Sequence, residues 1–472
     1  MNKPIEVRNP RTGKFDYVII PPPPKLVAQQ CSRARRAQPR WYQLGVEGRI
    51  EALQEWKQAI LAERDRLTEA LINDTGRLSI SVLEIDSFLS SIDRWCGLAP
   101  DLLQESAKNT AIPFIALKQT LVPYSLVGVI SPWNFPLLLS TIDAIPALLA
   151  GCAVIVKPSE IAPRFVAPLI LALNTVPQLR DVLAFVEGAG ETGATLVENV
   201  DLVCFTGSVA TGRRVGEAAA KRFIPAFLEL GGKDPAIVLE SANLELATSA
   251  ILWGSVVNTG QSCLSIERIY VAESIFENFY HQLIAKASRL QLAHPTVESG
   301  EIGPIISERQ AAIISDHLLD AVENGAVIHC GGKVEALGGG WWCRPTVITQ
   351  VNHSMKVMTE ETFGPIMPVM PFPTVEEAVY LANDSIYGLS AAVFAGSEAE
   401  ALAVAYQLDA GAISINDAAL TALMHEGEKN AFKFSGLGGS RMGPAALKRF
   451  MRSKACLIKT NSSSDPWWFD KK

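Results

Sequence analysis

The sequence predicts an α/β protein of two or three domains, and three observations carry that expectation. Short β-rich runs alternate with helical stretches over residues 127–232, and the alternation repeats over 232–434. The chain has 472 residues, more than one ordinary core accommodates. Apolar residues make up 48% of it, enough to fill several large interiors.

Taken in order, residues 21–24 are four prolines that set a leading strand apart from the body. Residues 27–103 read as helical. Ile50, Leu53, Trp56, Ile60 and Leu61 recur at three- and four-residue steps, as one buried helix face requires. Residues 111–124 mix apolar and polar side chains with β-formers, which predicts a hairpin. Strands follow at 126–130, 153–156, 182–186 and 202–205, and helical stretches between them imply a parallel sheet. A second set lies at 236–238, 268–271, 342–349, 365–371 and 390–394. Residues 455–460 form a last β run.

Composition narrows the function. Net charge is −7, with no basic block to follow a phosphate backbone, so a nucleic-acid partner is not expected. Charged residues are 19%, below the roughly 25% of ordinary soluble domains, which suits an oligomer that hides surface. Cysteines 31, 96, 152, 204, 263, 330, 343 and 456 are scattered, with neither a CxxC pair nor Cys/His ligand spacing. They read as mostly buried, reduced thiols without a metal site. The N-terminus lacks the apolar core of a signal peptide. The longest apolar stretch, 142–156, is broken by Asp143, Pro146 and Gly151 and is too short for a bilayer. A cytoplasmic enzyme with no integral membrane segment is the expectation.

Two segments carry chemistry. Gly260-Gln261-Ser262-Cys263 puts a thiol on a tight loop, and Glu229-Leu230-Gly231-Gly232-Lys233 puts a carboxylate beside two glycines. A nucleophilic thiol and a proton-managing carboxylate are the minimum for acyl chemistry through a thioester. Gly207-Ser208 to Gly212 is a G-x₄-G run after an apolar strand. It departs from the dinucleotide fingerprint, yet it opens a helix whose N-terminus suits a pyrophosphate.

Two further segments are Pro132-Trp133-Asn134-Phe135-Pro136 and Glu361-Thr362-Phe363-Gly364-Pro365. With them belong Asn9-Pro10 and Thr12-Gly13, Lys157-Pro158-Ser159-Glu160, Phe205-Thr206-Gly207-Ser208, residues 383–389 and Lys433-Phe434-Ser435-Gly436. In this order and spacing, the chain resembles the NAD(P)-dependent aldehyde dehydrogenase superfamily along nearly its whole length. The resemblance implies a Rossmann-type dinucleotide-binding domain from 1–107 and 124–231 and an α/β catalytic domain from 232–434. It also implies a small β oligomerisation domain from 108–123 and 435–472, in a homodimer or homotetramer.

The same resemblance assigns roles. Cys263 is the nucleophile, and Glu229 is the base that activates water against the thioester. Asn134 and the Cys263 backbone N–H form an oxyanion hole. Lys157 and Glu160 hold the adenine-side ribose, while Gly207 and Ser208 meet the phosphates. Glu361 takes the nicotinamide ribose and Phe363 packs near the ring, with Trp133, Gly190 and Leu230 as lesser cofactor contacts. A carboxylate at Glu160 favours NAD, though relatives with this glutamate also use NADP. Phe135, Leu139, Val257, Ser262 and Leu264 are the substrate-tunnel positions. Most are apolar and none is arginine, which points to a hydrophobic aldehyde, aliphatic or isoprenoid-derived, rather than a semialdehyde bearing a carboxylate. A CoA-acylating relative is the main alternative, but such enzymes usually lack the glutamate. A non-catalytic scaffold would need none of Asn134, Glu229 and Cys263 together. Two departures stand out. Residues 428–432 replace a Pro-Phe-Gly-Gly run, and Asp143 stands where some subfamilies carry lysine. Pro466-Trp467-Trp468-Phe469 would dock on a partner subunit or touch a membrane surface.

Overall fold

The computed structural model describes residues 3–104, 106–112 and 114–460, so the Trp467-Trp468 tail lies outside the described residues. The chain opens with an antiparallel hairpin, Ile5–Arg8 against Phe15–Ile19. The Asn9 side chain closes its turn by accepting the N–H of Arg11 at 3.0 Å. The prolines do less separating than expected. Pro24 is already the first residue of the helix Pro24–Gln43, where a missing N–H costs nothing.

Helices Gly45–Ala62, Arg64–Thr75 and Ser79–Leu102 follow. Leu53, Trp56 and Ile60 are buried, and Trp56 meets Phe88 edge-on at 5.4 Å. Leu61 does not belong to that face. It is 40% exposed, because one residue beyond Ile60 turns the side chain about 100° away.

The first sheet contains β1 (Leu126–Ile130), β2 (Ala153–Lys157), β3 (Leu183–Phe185), β4 (Leu202–Thr206) and β5 (Ala226–Glu229). They are parallel, in the order β5-β4-β1-β2-β3. Strands covered on both faces lose the alternating pattern, and β1, β2 and β4 are indeed continuous buried runs. Strand β5, four residues reading Ala-Phe-Leu-Glu, was not anticipated. A short strand, Gly436–Leu437, pairs antiparallel with its outer edge. The order reverses around β1, so a crevice opens at the carboxyl ends of β1, β2 and β4.

Residues 230–233 link β5 directly to the second sheet. This sheet contains β6 (Asp234–Val238), β7 (Ile266–Ala272), β8 (Val327–Cys330), β9 (Thr346–Thr349), β10 (Ile366–Phe372), β11 (Ser390–Phe394) and β12 (Ala412–Ile415). The order is β8-β9-β10-β7-β6-β11-β12, and β8 alone runs antiparallel. The single strand expected at 342–349 is two. Gly340–Cys343 pairs with Val334–Leu337, and β9 joins the main sheet. Arg344-Pro345 separates them, since Pro345 cannot donate to a ladder. The last β run is longer than expected: Met451–Lys459 pairs with Ile115–Pro123, which pairs with Ser106–Asn109. Leu457 on that outer strand is 71% exposed. Among the described residues, no helix is long and apolar enough to cross a membrane.

Arg164 ties the opening hairpin to the body. Its guanidinium pairs with fully buried Asp74 and with Asp16 of the hairpin, and its backbone N–H reaches Asp74 at 2.7 Å. Arg164→Ala would strand the Asp74 carboxylate without its cation, at a cost of about 3–5 kcal/mol. A clearly lowered midpoint of chemical unfolding is expected. A midpoint equal to the wild type's would contradict this role.

Candidate active site

The crevice assembles the site because each parallel strand delivers its last residue to the same edge. Trp133 and Asn134 follow β1, Lys157 ends β2, and Gly190 opens the helix Gly190–Asn199 beyond β3. Thr206 ends β4 and stands opposite Glu229, which ends β5. Trp133, Asn134, Leu139, Gly207, Ser208, Leu230, Cys263, Glu361 and Phe363 line a single cleft. Sequence-distant candidates therefore converge.

The nucleophile loop is shaped by backbone conformation. Asn258, Thr259 and Gly260 all have positive φ, near 58°, 59° and 69°. A Cβ on Gly260 would lie 2.3 Å from the carbonyl oxygen of Gly364, so the loop rests backbone to backbone on the 361–365 segment. Buried Gln261 fixes its base, accepting the Ile306 N–H at 2.9 Å and donating to Asn258 and Pro304 carbonyls. Asn134 is 3% exposed, and its Nδ2 donates to the Gln261 carbonyl at 3.0 Å. That bond uses one of two N–H groups and leaves the other for a ligand oxygen. Arg77 and Asn258 both donate to the Asn134 carbonyl at 3.0 Å, holding it from behind.

The paired glycines have separate tasks. A Cβ on Gly231 would lie 2.5 Å from a Glu361 carboxylate oxygen, and one on Gly232 would lie 2.4 Å from the Cys263 carbonyl. Glu361 accepts the Gly232 N–H at 3.1 Å. Burial first, then the Glu267 charge, pushes the Glu361 carboxyl up to about 8. Phe363 sits at φ 52° and packs edge-on against Trp133 at 5.5 Å.

Beneath these residues is an ion pair the sequence reading missed. Lys233 Nζ lies 2.7 Å from Glu267, and the two side chains are 0% and 1% exposed. The same carboxylate accepts the backbone N–H groups of Thr362 and Phe363, each at 2.7 Å. Lys233 also donates to Thr362 Oγ1 at 3.0 Å. A carboxylate inside the apolar run of β7 was the available signal. Gln310 was missed too; it lines the cleft and donates to the Thr362 carbonyl at 2.7 Å.

Charge around Cys263 is mixed. Burial pushes its thiol up to about 12, with Glu361, Asp234 and Glu229 adding to the shift and Lys429 opposing it. Lys429 belongs to the segment that departs from the family's Pro-Phe-Gly-Gly run. Asp143, puzzling in the sequence, is buried and paired with Arg441 and Arg449.

The remaining candidates are spread around this centre. Lys157 Nζ meets Glu160 at 3.0 Å on the same sheet edge, outside the cleft lining. Gly190 lies farther along that edge, with open space where a Cβ would stand. Of the tunnel positions, Leu139 lines the cleft. Val257 lines a neighbouring cavity of about 470 Å³ with Leu252, Trp253 and Val256. Phe135, Ser262 and Leu264 line neither.

The edge fits a dinucleotide. Ser208 caps the helix Val209–Arg222, whose first turn has no acidic residue and so presents its N–H groups to an anion. The Lys157–Glu160 pair would offer polar partners to ribose hydroxyls, and Glu361 and Phe363 line the same cleft as Cys263. Among the described residues, no group of three or more His, Cys, Asp or Glu could hold a metal ion.

Comparison with known proteins agrees with this arrangement. The aldehyde dehydrogenase family model matches residues 1–456. The 4,4'-diapolycopene aldehyde oxidase of Methylomonas sp is 39% identical over 454 residues, covering 94% of this chain and 84% of that protein. A protein of Mycolicibacterium smegmatis, provisionally named an NADP(+) succinate-semialdehyde dehydrogenase, is 35% identical over 93% of this chain and 86% of its own. Among solved structures, PutA of Anabaena variabilis, provisionally named an aldehyde dehydrogenase, is 84% identical. It superposes with a TM-score of 0.98 over 99% of this chain and 100% of that one. Betaine aldehyde dehydrogenase of Staphylococcus aureus, solved with NAD+, is 32% identical with a TM-score of 0.92, over 99% and 94% of the two chains. From the residues gathered at the cleft and the match over residues 1–456, the chain belongs to the aldehyde dehydrogenase family.

Proposed function

We propose that this NAD(P)-dependent aldehyde oxidoreductase converts a hydrophobic aldehyde to its carboxylic acid through a thioester on Cys263, with NAD as the preferred cofactor. The observation that carries the reading is one cleft shared by Cys263, Asn134, Glu361 and Phe363, with Glu229 at the adjoining strand end.

The Cys263 thiolate adds to the carbonyl carbon, and the displaced electron pair moves to the oxygen. The free N–H of Asn134 and the Cys263 backbone N–H stabilise that oxygen. A bound nicotinamide dinucleotide supplies the hydride acceptor that leaves a thioester behind. Glu229 then takes a proton from water as its oxygen adds to the thioester carbon. The C–S bond breaks, sulfur departs as thiolate, and the acid is released.

Three features support the finer points. Glu160 beside Lys157 accepts ribose hydroxyls and repels a 2′-phosphate, which favours NAD. Leu139 in the cleft and Val257 beside it offer apolar surface to a substrate chain. The relative named for diapolycopene aldehyde fits the same preference, whereas a succinic semialdehyde would need a cation at those positions. Each buried methylene is worth about 0.8 kcal/mol, or roughly fourfold in kcat/KM.

NADH formation from decanal and NAD, without CoA, is the test. Decanal is expected to outperform succinic semialdehyde, Cys263→Ala to abolish turnover, and Asn134→Ala to lower kcat by about 10²–10³. Faster turnover of succinic semialdehyde, or dependence on CoA, would overturn the reading.

The raised Cys263 thiol has its own consequence. Below about 12 the protonated form dominates, so thiolate grows about tenfold with each pH unit. Alkylation of Cys263 by iodoacetamide in cofactor-free enzyme, followed by peptide mass, should keep rising from pH 6 to 9. A plateau below pH 8 would show a thiolate already formed.

A further inference from the structure

We propose that Arg441, braced from behind by Asp143, is a positioning residue that anchors the Glu229 carboxylate for attack of water on the Cys263 thioester. The proposal rests on the reading of Glu229 as the base.

Charge balance is the first argument. Asp143 is 1% exposed and shares one negative charge between two guanidiniums: Arg441, at 2.8 Å, and Arg449. The cluster therefore holds one uncompensated positive charge in the interior. Buried charge is costly unless paired, so a second anion is required. Burial weakens the charged form of Arg441, but attraction to Asp143 and then to Glu229 outweighs it. Glu229, opposite the Thr206 that Arg441 holds, is the carboxylate placed to complete the balance, with no direct ion pair to Arg441.

Connectivity is the second. Arg441 Nη2 also donates to Thr206 Oγ1 at 2.5 Å. Thr206 lines the catalytic cleft and stands directly opposite Glu229 between β4 and β5. The chain that carries Arg441 is itself fastened to the same strand end. Gly436 pairs with Glu229, and the Leu230 N–H donates to the Ser435 carbonyl at 2.8 Å. Arg441 Nε is buried and has no hydrogen-bond partner among the described residues, so the guanidinium keeps a donor in reserve.

Function supplies the third. The Glu229 charge acts on the Cys263 thiol as well as on Arg441, and the residues on either side of it, Thr206 across the sheet and Leu230 next in the chain, both line the cleft that holds Cys263. Asp234 and Glu361 surround the same thiol with further carboxyl groups. A carboxylate among such neighbours needs a fixed cation to hold it in place for proton transfer. Asp143 fixes Arg441, and Arg441 fixes Glu229.

Rapid-mixing measurement of NADH with NAD and decanal separates the steps. The burst counts acylated Cys263, and the following steady rate reports thioester hydrolysis. In Arg441→Gln the burst should keep its wild-type amplitude per subunit, while the steady rate falls about 10- to 100-fold. That is less than the roughly 10²–10⁴ contributed by a general base. Arg441→Lys keeps a cation for Asp143 but not the fork, and should show the full burst with a smaller loss. Burst and steady rate falling together in Arg441→Lys, or a steady rate within twofold of wild type in either variant, would overturn the proposal. Glu229→Gln separates the two failures. If it spares the steady rate, the base reading itself is wrong. If it halts hydrolysis while the arginine variants do not, only the role of Arg441 is wrong.

Discussion

The buried contact between Lys233 and Glu267 is the constraint on which the site depends. It joins three segments remote in sequence: the 230–233 link between the sheets, the start of β7 just beyond Cys263, and the 361–363 loop. Neither charge sees water, so each is tolerable only because the other is present. Two backbone N–H groups and a threonine hydroxyl complete the shell of partners. Losing one partner of such a pair costs about 3–5 kcal/mol and would release the loop that carries Glu361 and Phe363. Specificity of placement, more than net stability, is what this arrangement gives the fold.

The rest of the chemistry follows from a parallel sheet ending beside that anchor. The segments that leave β1, β4 and β5 line one cleft, and the loop that carries Cys263 joins it from the second sheet. The price of the site is a concentration of carboxyl groups near a half-buried thiol. Glu229, Asp234 and Glu361 all raise the thiol. The cation that opposes them at the thiol, Lys429, comes from the late segment 425–445. Residues 428–432 of that segment also replace the Pro-Phe-Gly-Gly run that the family resemblance leads one to expect.

The sequence made the local features legible. Continuous apolar runs marked β1, β2 and β4 because a doubly covered parallel strand has no polar face. The motif residues Asn134, Cys263, Glu361 and Phe363 were placed by order and spacing, and the fold brings them to one cleft. Partner choice across the chain was not legible. Glu267, one residue before the strand placed at 268–271, drew no reading, and Asp143 stood as an unexplained departure, because their partners lie 34 and 298 residues away. Strand β5 was too short to show a period, and Pro345 divided a run that is β-forming on either side of Arg344-Pro345. Phe135, Ser262 and Leu264 line neither the cleft nor the cavity at Val257.

Native-state hydrogen exchange at the Thr362 and Phe363 amides tests the anchor most directly. Both lie on a loop, where exchange is ordinarily fast. If the buried carboxylate of Glu267 holds them, they should exchange as slowly as the central amides of β7. Exchange at the rate of exposed loops, with β7 still protected, would contradict the account.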